Sequence, residues 1–164
     1  MVKRPISPIY YPLLGSATQT LDVKVKSPWP GQTKTREELL EFVKPEHVLV
    51  RKAHEGVTCR LICLESQSYR NFFQQGGSRM AQSPYFEEVQ AMIADFEKAG
   101  GKTLRLMEAA NPEISFAIAD KTRAIVFLGT WLKTGGFDEA VIETTEPNLI
   151  EFLVEAFELC WNTK

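Results

Sequence analysis

Five carboxylates in the second half of the chain, Glu108, Glu113, Asp120, Glu139 and Glu143, fall at or near the ends of strand-like segments. Ligands gather at strand ends in open α/β sheets. A pair of acids there does acid–base chemistry when one of them has a raised pKa. The plainer reading is a set of solvated turn groups, and Asp120 stands where an aspartate caps its own backbone in a turn.

Other chemistries have less to draw on. A structural zinc site needs four ligands in tight paired spacings, whereas Cys59 and Cys63 alternate along one strand and read as buried core cysteines. No metal or other cofactor is implied. Both histidines, His47 and His54, lie in one helical stretch, and the chain has no G-x-S-x-G elbow for a nucleophilic serine. The glycine pairs at 76–77, 100–101 and 135–136 match neither a P-loop nor a dinucleotide fingerprint. Arg51, Lys52, Arg60, Arg70 and Arg79 interleave with Tyr69, Phe72 and Phe73, a mixture that would suit a single-stranded nucleic acid. An apolar helix face with exposed arginines explains them more simply.

The elements that must position these groups follow from pattern. Pro5, Pro8, Pro12, Pro28 and Pro30 punctuate residues 1–33, which predicts an irregular arm with one strand at Leu21–Lys26. The remainder, 34–164, is expected to form the domain. Thr35 and Glu38 make a capping box for a helix that Pro45 interrupts and Gly56 ends. Residues 57–66 alternate as a strand, with Cys59, Leu61 and Cys63 on one face and Arg60, Ile62 and Leu64 on the other. Ser83 and Pro84 open the clearest amphipathic helix, and Gly100 closes it. Four more strands follow, KTLRLMEA, ISFAIAD, RAIVFLGT and FDEAVIET, the middle two joined at Asp120–Arg123. A last helix opens at Pro147 and is apolar around most of its circumference, which predicts deep burial. The order of elements predicts an α/β domain with a mixed sheet flanked by helices.

With 164 residues, 44% hydrophobic and 24% charged, the chain is one ordinary globular domain. A formal net charge of −2 leaves no footprint for wrapping duplex DNA or an anionic membrane. Three cysteines make no disulfide framework, no apolar run is long enough to span a bilayer, and a soluble cytoplasmic protein is expected.

The segments KAHEGVTCRLIC, FEEVQAMIADFEKAGGKTLRLME, ISFAIAD, RAIVFLGT, GGFDEAVIET and FLVEAFELCW, in that order, resemble the phospholipase D-like fold over residues 47–161. Members of that family carry His-x-Lys-x(4)-Asp on a hairpin strand, then Gly-Ser after the next strand and often a later Glu. The resemblance places the motif's His on Glu113, its Lys on Ser115 and its Asp on Asp120. The Gly-Ser falls on Gly129–Thr130 and the Glu on Glu139. In the family the His is the nucleophile and the Lys stabilises the phosphate. Glu113 would repel a phosphodiester, and Ser115 supplies no positive charge.

The resemblance therefore implies the fold without the activity: a non-catalytic binding, sensing or regulatory module. Its ligand or protein partner would lie in the former active-site groove, lined by Glu113, Ser115, Asp120, Thr130 and Glu139, with Arg79 and Lys133 as further contributors. Because family sites form from two motifs, the resemblance also implies a homodimer with Asp120 and Glu113 edges facing across the groove. Two rivals stand beside it. One is a divergent phosphodiesterase or nuclease that recruits His54 or His47. The other is a nucleic-acid-binding module built on residues 69–79.

Overall fold

The computed structural model describes residues 7–26, 48–65, 84–107, 114–131 and 137–162. In chain order they form α1 (Ser7–Ser16), β1 (Thr20–Lys26), α2 (Val48–His54), β2 (Thr58–Glu65), α3 (Pro84–Lys98), β3 (Lys102–Met107), β4 (Ser115–Ala119), β5 (Arg123–Trp131), β6 (Phe137–Thr144) and α4 (Pro147–Trp161). The strands make one mixed sheet in the order β3-β2-β1-β4-β5-β6. The first three are mutually parallel, with β1 beside β2 and β2 beside β3. From β1 onward to β4, β5 and β6 every pairing is antiparallel. The expected α/β class, a mixed sheet flanked by helices, is the architecture observed.

Within the segment 1–33, expected as an arm, α1 and β1 pack as part of the sheet domain. β1 lies inside the sheet between β2 and β4. Leu13, Leu14 and Ala17 of α1 and its turn, with Leu21 and Val23 of β1, are fully buried. Pro12 sits inside α1, where it removes one amide donor from the helix ladder. Burial of the neighbouring leucines, each contributing on the order of 2 kcal/mol, holds the turn regardless.

The period-2 pattern of β2 is realised. Cys59, Leu61 and Cys63 face the layer formed by α1, α2 and α3, through Leu49, Val50, Ala53, Met92, Ile93 and Phe96. Ile62 faces the other way, with Phe116, Ile118, Ala124 and Val126, against Ile150, Leu153 and Phe157 of α4. Burial pushes the Cys59 thiol up to about 12, with the Asp22 carboxylate adding to the effect, so it stays a protonated core group.

Helix ends follow the expected chemistry. Gly56 has φ +87°, and the amides of Gly56 and Val57 close back on the carbonyls of Ala53 and Lys52. Gly100 ends α3 in the same way, at φ +101°. Both are left-handed C′ positions that a side chain would strain. The predicted Thr35–Glu38 capping box and the Ser83 cap lie outside the described residues.

α4 departs from expectation. It starts two residues after β6, the sheet's edge strand, and its Glu158 reaches Arg60 on β2. The helix therefore runs across the strands. Four strand spacings are about 19 Å and fifteen helical residues about 22 Å, so the two lengths match. The deep burial expected from its sequence holds on one side, at Ile150, Leu153 and Phe157, whereas Phe152 is 57% exposed and Leu159 74%. Among the described residues the helix rests on the sheet through Ile150, Leu153 and Phe157.

Candidate functional site

The two ends of the sheet differ in kind. One end is closed by the short turns around Thr18, Gly56, Gly100 and Asp120. At the other end lie the carboxyl ends of β1, β2 and β3, the start of β4, and the β5–β6 pairing from Gly129 to Phe137. The connections 27–47, 66–83, 108–113 and 132–136 all leave the sheet there. Long connections at the carboxyl ends of parallel strands are where α/β folds place binding and catalysis.

Register aligns the side chains at this end. Arg105, Cys63, Val25, Ser115, Phe127 and Val141 stand in one row across the six strands. Val25 and Ser115 come next on their strands after the paired Lys24 and Phe116. The row faces α1. From that helix Tyr10 meets Phe127 edge-on at 5.1 Å and lies 5.6 Å from Tyr11. Its phenol is held well above the usual range by burial first, with Tyr11 and then Cys63 adding to it. Tyr10 thus reaches from Phe127 on β5 toward Cys63 on β2, over the Val25–Ser115 position between them. Its hydroxyl is buried and accepts or donates no hydrogen bond among the described residues.

Thr130 and Glu139 join this end through their backbones, with Thr130 opposite Asp138 and Gly129 opposite Glu139. Glu113, Arg79 and Lys133 lie outside the described residues.

Asp120 lies at the opposite end of β4 from Ser115. It sits past the far end of β4, about 17 Å of strand from Ser115. Asp120 adopts φ +52°. Its carboxylate accepts from the amides of Thr18 (3.0 Å), Gln19 (2.7 Å) and Thr20 (3.0 Å) and from the Thr18 hydroxyl (3.1 Å). Burial acts to raise its pKa, but the Thr20, Gln19 and Thr18 donors outweigh it and hold the carboxyl below its ordinary value. The turn was anticipated; the backbone it caps is not its own but the entry to β1.

His54 is exposed at the end of α2 that leads into Gly56, hence also at the closed end. Of the basic residues considered for nucleic acid, three are already engaged. Arg51 and Lys52 pair with Glu55 at 3.8 and 2.8 Å. Arg60 donates to Asp22 at 2.7 and 2.9 Å and to Glu158 at 2.6 Å, with its guanidinium over the rings of Phe157 and Trp161. That cluster pins α4 to the sheet. Arg70 and Arg79 lie outside the described residues. Sequence reasoning missed Tyr10, whose signal was the apolar run IYYPLL lost among prolines.

Comparison with known proteins places the fold. No family model and no curated protein sequence matches the chain. Among solved structures it is similar to Nuc from Salmonella typhimurium, a phospholipase D family member, with TM-score 0.57 and 14% identity over 95% of this chain and 86% of that one. It is similar to polyphosphate kinase from Porphyromonas gingivalis, with TM-score 0.55 and 10% identity over 92% of this chain and 23% of that one. It is also similar to TrmBL2, an archaeal chromatin protein described with a novel mode of DNA binding, with TM-score 0.52 and 13% identity over 92% of this chain and 46% of that one. The chain spans less than half of the last two. The fold is phospholipase D-like.

Proposed function

We propose that this chain uses a phospholipase D-like fold as a non-catalytic binding or regulatory module. A small ligand or protein partner occupies the groove at the carboxyl ends of β1–β3, and two copies meet there. The observation that carries the proposal is the row around Ser115. Val25, Phe127 and Val141 are apolar, and Ser115 and Tyr10 offer neutral hydroxyls. Arg105, the row's cation, stands at the β3 edge three strands from Ser115. Phosphoryl transfer needs positive charge and donors preorganised around the phosphate. This row supplies no positive charge next to Ser115. Neutral donors over an aromatic wall suit an uncharged or cationic ligand better than a phosphodiester.

Purified protein incubated with bis-p-nitrophenyl phosphate is expected to show no turnover. Hydrolysis that disappears in His54→Ala or His47→Ala would overturn the non-catalytic reading. Light scattering is expected to show a dimer, and a clean monomer at micromolar concentration counts against the shared groove.

A nucleic-acid role has one point in its favour, the DNA binding of the TrmBL2 neighbour, together with Arg70 and Arg79 in the connection after β2. Salt-dependent anisotropy with oligonucleotides, lost on replacing both arginines, would support it.

A further inference from the structure

Among the described residues the large apolar side chains left exposed are Ile114, Ile142, Leu149, Phe152 and Leu159. Three of them are on α4. At about 100° per residue, Leu149, Phe152 and Leu159 fall within an arc of about 80° on that helix. The core residues Ile150, Leu153 and Phe157 form a separate, adjacent arc. Positions 149, 152 and 159 keep the a/d spacing of a helix that packs against another helix, with Ala156, packed against the core, between them. α4 is therefore apolar on two faces, one against the sheet and one toward solvent.

Charge decides what the second face accepts. Glu151 and Glu155 are exposed and, with Glu158, border the apolar stripe on one side. The segment Pro147–Trp161 contains no lysine or arginine. A second copy of α4 laid along the first would bring acid against acid, which disfavours that pairing. A helix with leucine-like residues on one side and lysine or arginine beside them meets both features at once.

We infer that the outer face of α4 is a docking seam for a cationic amphipathic helix of a partner protein. Phe152, Leu149 and Leu159 are its apolar anchors, and Glu151 and Glu155 its charge selectors. The seam is separate from the Ser115 groove, and neither depends on the other.

The test uses the full chain and a fluorescein-labelled model peptide of leucine and lysine in heptad spacing, followed by anisotropy. The peptide is expected to bind the wild type. Phe152→Ser should weaken binding about tenfold, as loss of a central apolar anchor does, while circular dichroism and melting stay unchanged because the side chain is exposed. Glu151→Gln combined with Glu155→Gln should weaken binding a few-fold and flatten its salt dependence. A peptide of the same composition with scrambled order should bind wild type and Phe152→Ser alike. The inference is overturned if the heptad peptide fails to bind, or binds wild type and Phe152→Ser equally. It is also overturned if light scattering shows an oligomer that Phe152→Ser dissolves, which would make the occupant a second copy. Phe152-dependent cosedimentation with phosphatidylcholine vesicles would assign the face to lipid instead.

Discussion

The Asp120 carboxylate accepts the amide of Gln19 at 2.7 Å across 101 residues of sequence. Thr18 and Thr20 donate to the same carboxylate, and the Asp120 amide returns a bond to the Thr20 carbonyl at 2.9 Å. One side chain thus fixes where β1 enters the sheet beside β4.

Asp120→Ala should cost about 2–4 kcal/mol of stability in urea denaturation, since it strips a charged acceptor from several amides at once. The pH dependence follows from the lowered pKa. Stability from this group is fully present above the unfolded carboxyl value and is lost as pH falls through the lower folded value. Asp120→Asn should therefore flatten the acid limb of a stability–pH curve. An unchanged acid limb would mean other carboxylates dominate it.

How far the sequence showed these relationships depends on their range. The alternation of β2, the Gly100 end of α3 and the Pro147 start of α4 are local, and they were legible. Asp120 in a turn was legible too, but its partners were not, because no local rule reaches 100 residues. Prolines made residues 7–26 look peripheral. In the structure Asp22 is buried against Arg60, and Lys24 lies with its ammonium 5.8 Å from the Phe116 ring centroid. α4 was legible as a helix, but its apolar circumference could not say how many partner surfaces it would find.

The Asp22–Arg60–Glu158 cluster has a graded prediction. Asp22 is 2% exposed, so Arg60→Ala leaves a buried carboxylate without its cation and should cost about 3–5 kcal/mol. Glu158 is far more exposed, and Glu158→Gln keeps its geometry, so its cost should be within about 1 kcal/mol. Chemical denaturation of the two variants gives the order. Equal losses would mean that the rings of Phe157 and Trp161, not Asp22, are what Arg60 chiefly serves.

Two glycines distinguish backbone strain from crowding. A Cβ at Gly56 meets nothing within 4 Å, so Gly56→Ala carries only the cost of its positive φ, about 1–2 kcal/mol. A Cβ at Gly101 would fall 2.4 Å from the ring of Phe96, which is fully buried on the core side of α3. Relieving that overlap requires shifting the core, and Gly101→Ala should cost about 1–3 kcal/mol or more. Thermal melts are expected to rank Gly101→Ala below Gly56→Ala, and the reverse order would show that the Phe96 ring yields freely.

Tyr10 separates a site from a core. Its hydroxyl is buried without a hydrogen-bond partner among the described residues, and such a group costs about 1–3 kcal/mol when left unmet. Tyr10→Phe removes the hydroxyl, keeps the edge-on ring contact with Phe127, and should raise the melting temperature of the free protein. A side chain retained at that cost has a reason to be polar, and the neighbouring Ser115 supplies one if both hydroxyls face a ligand. The same substitution is then expected to weaken binding of any small molecule found to occupy the Ser115 end of the sheet. A Tyr10→Phe protein that melts lower than wild type would show that the hydroxyl is already bonded within the fold, and would remove Tyr10 from the binding surface.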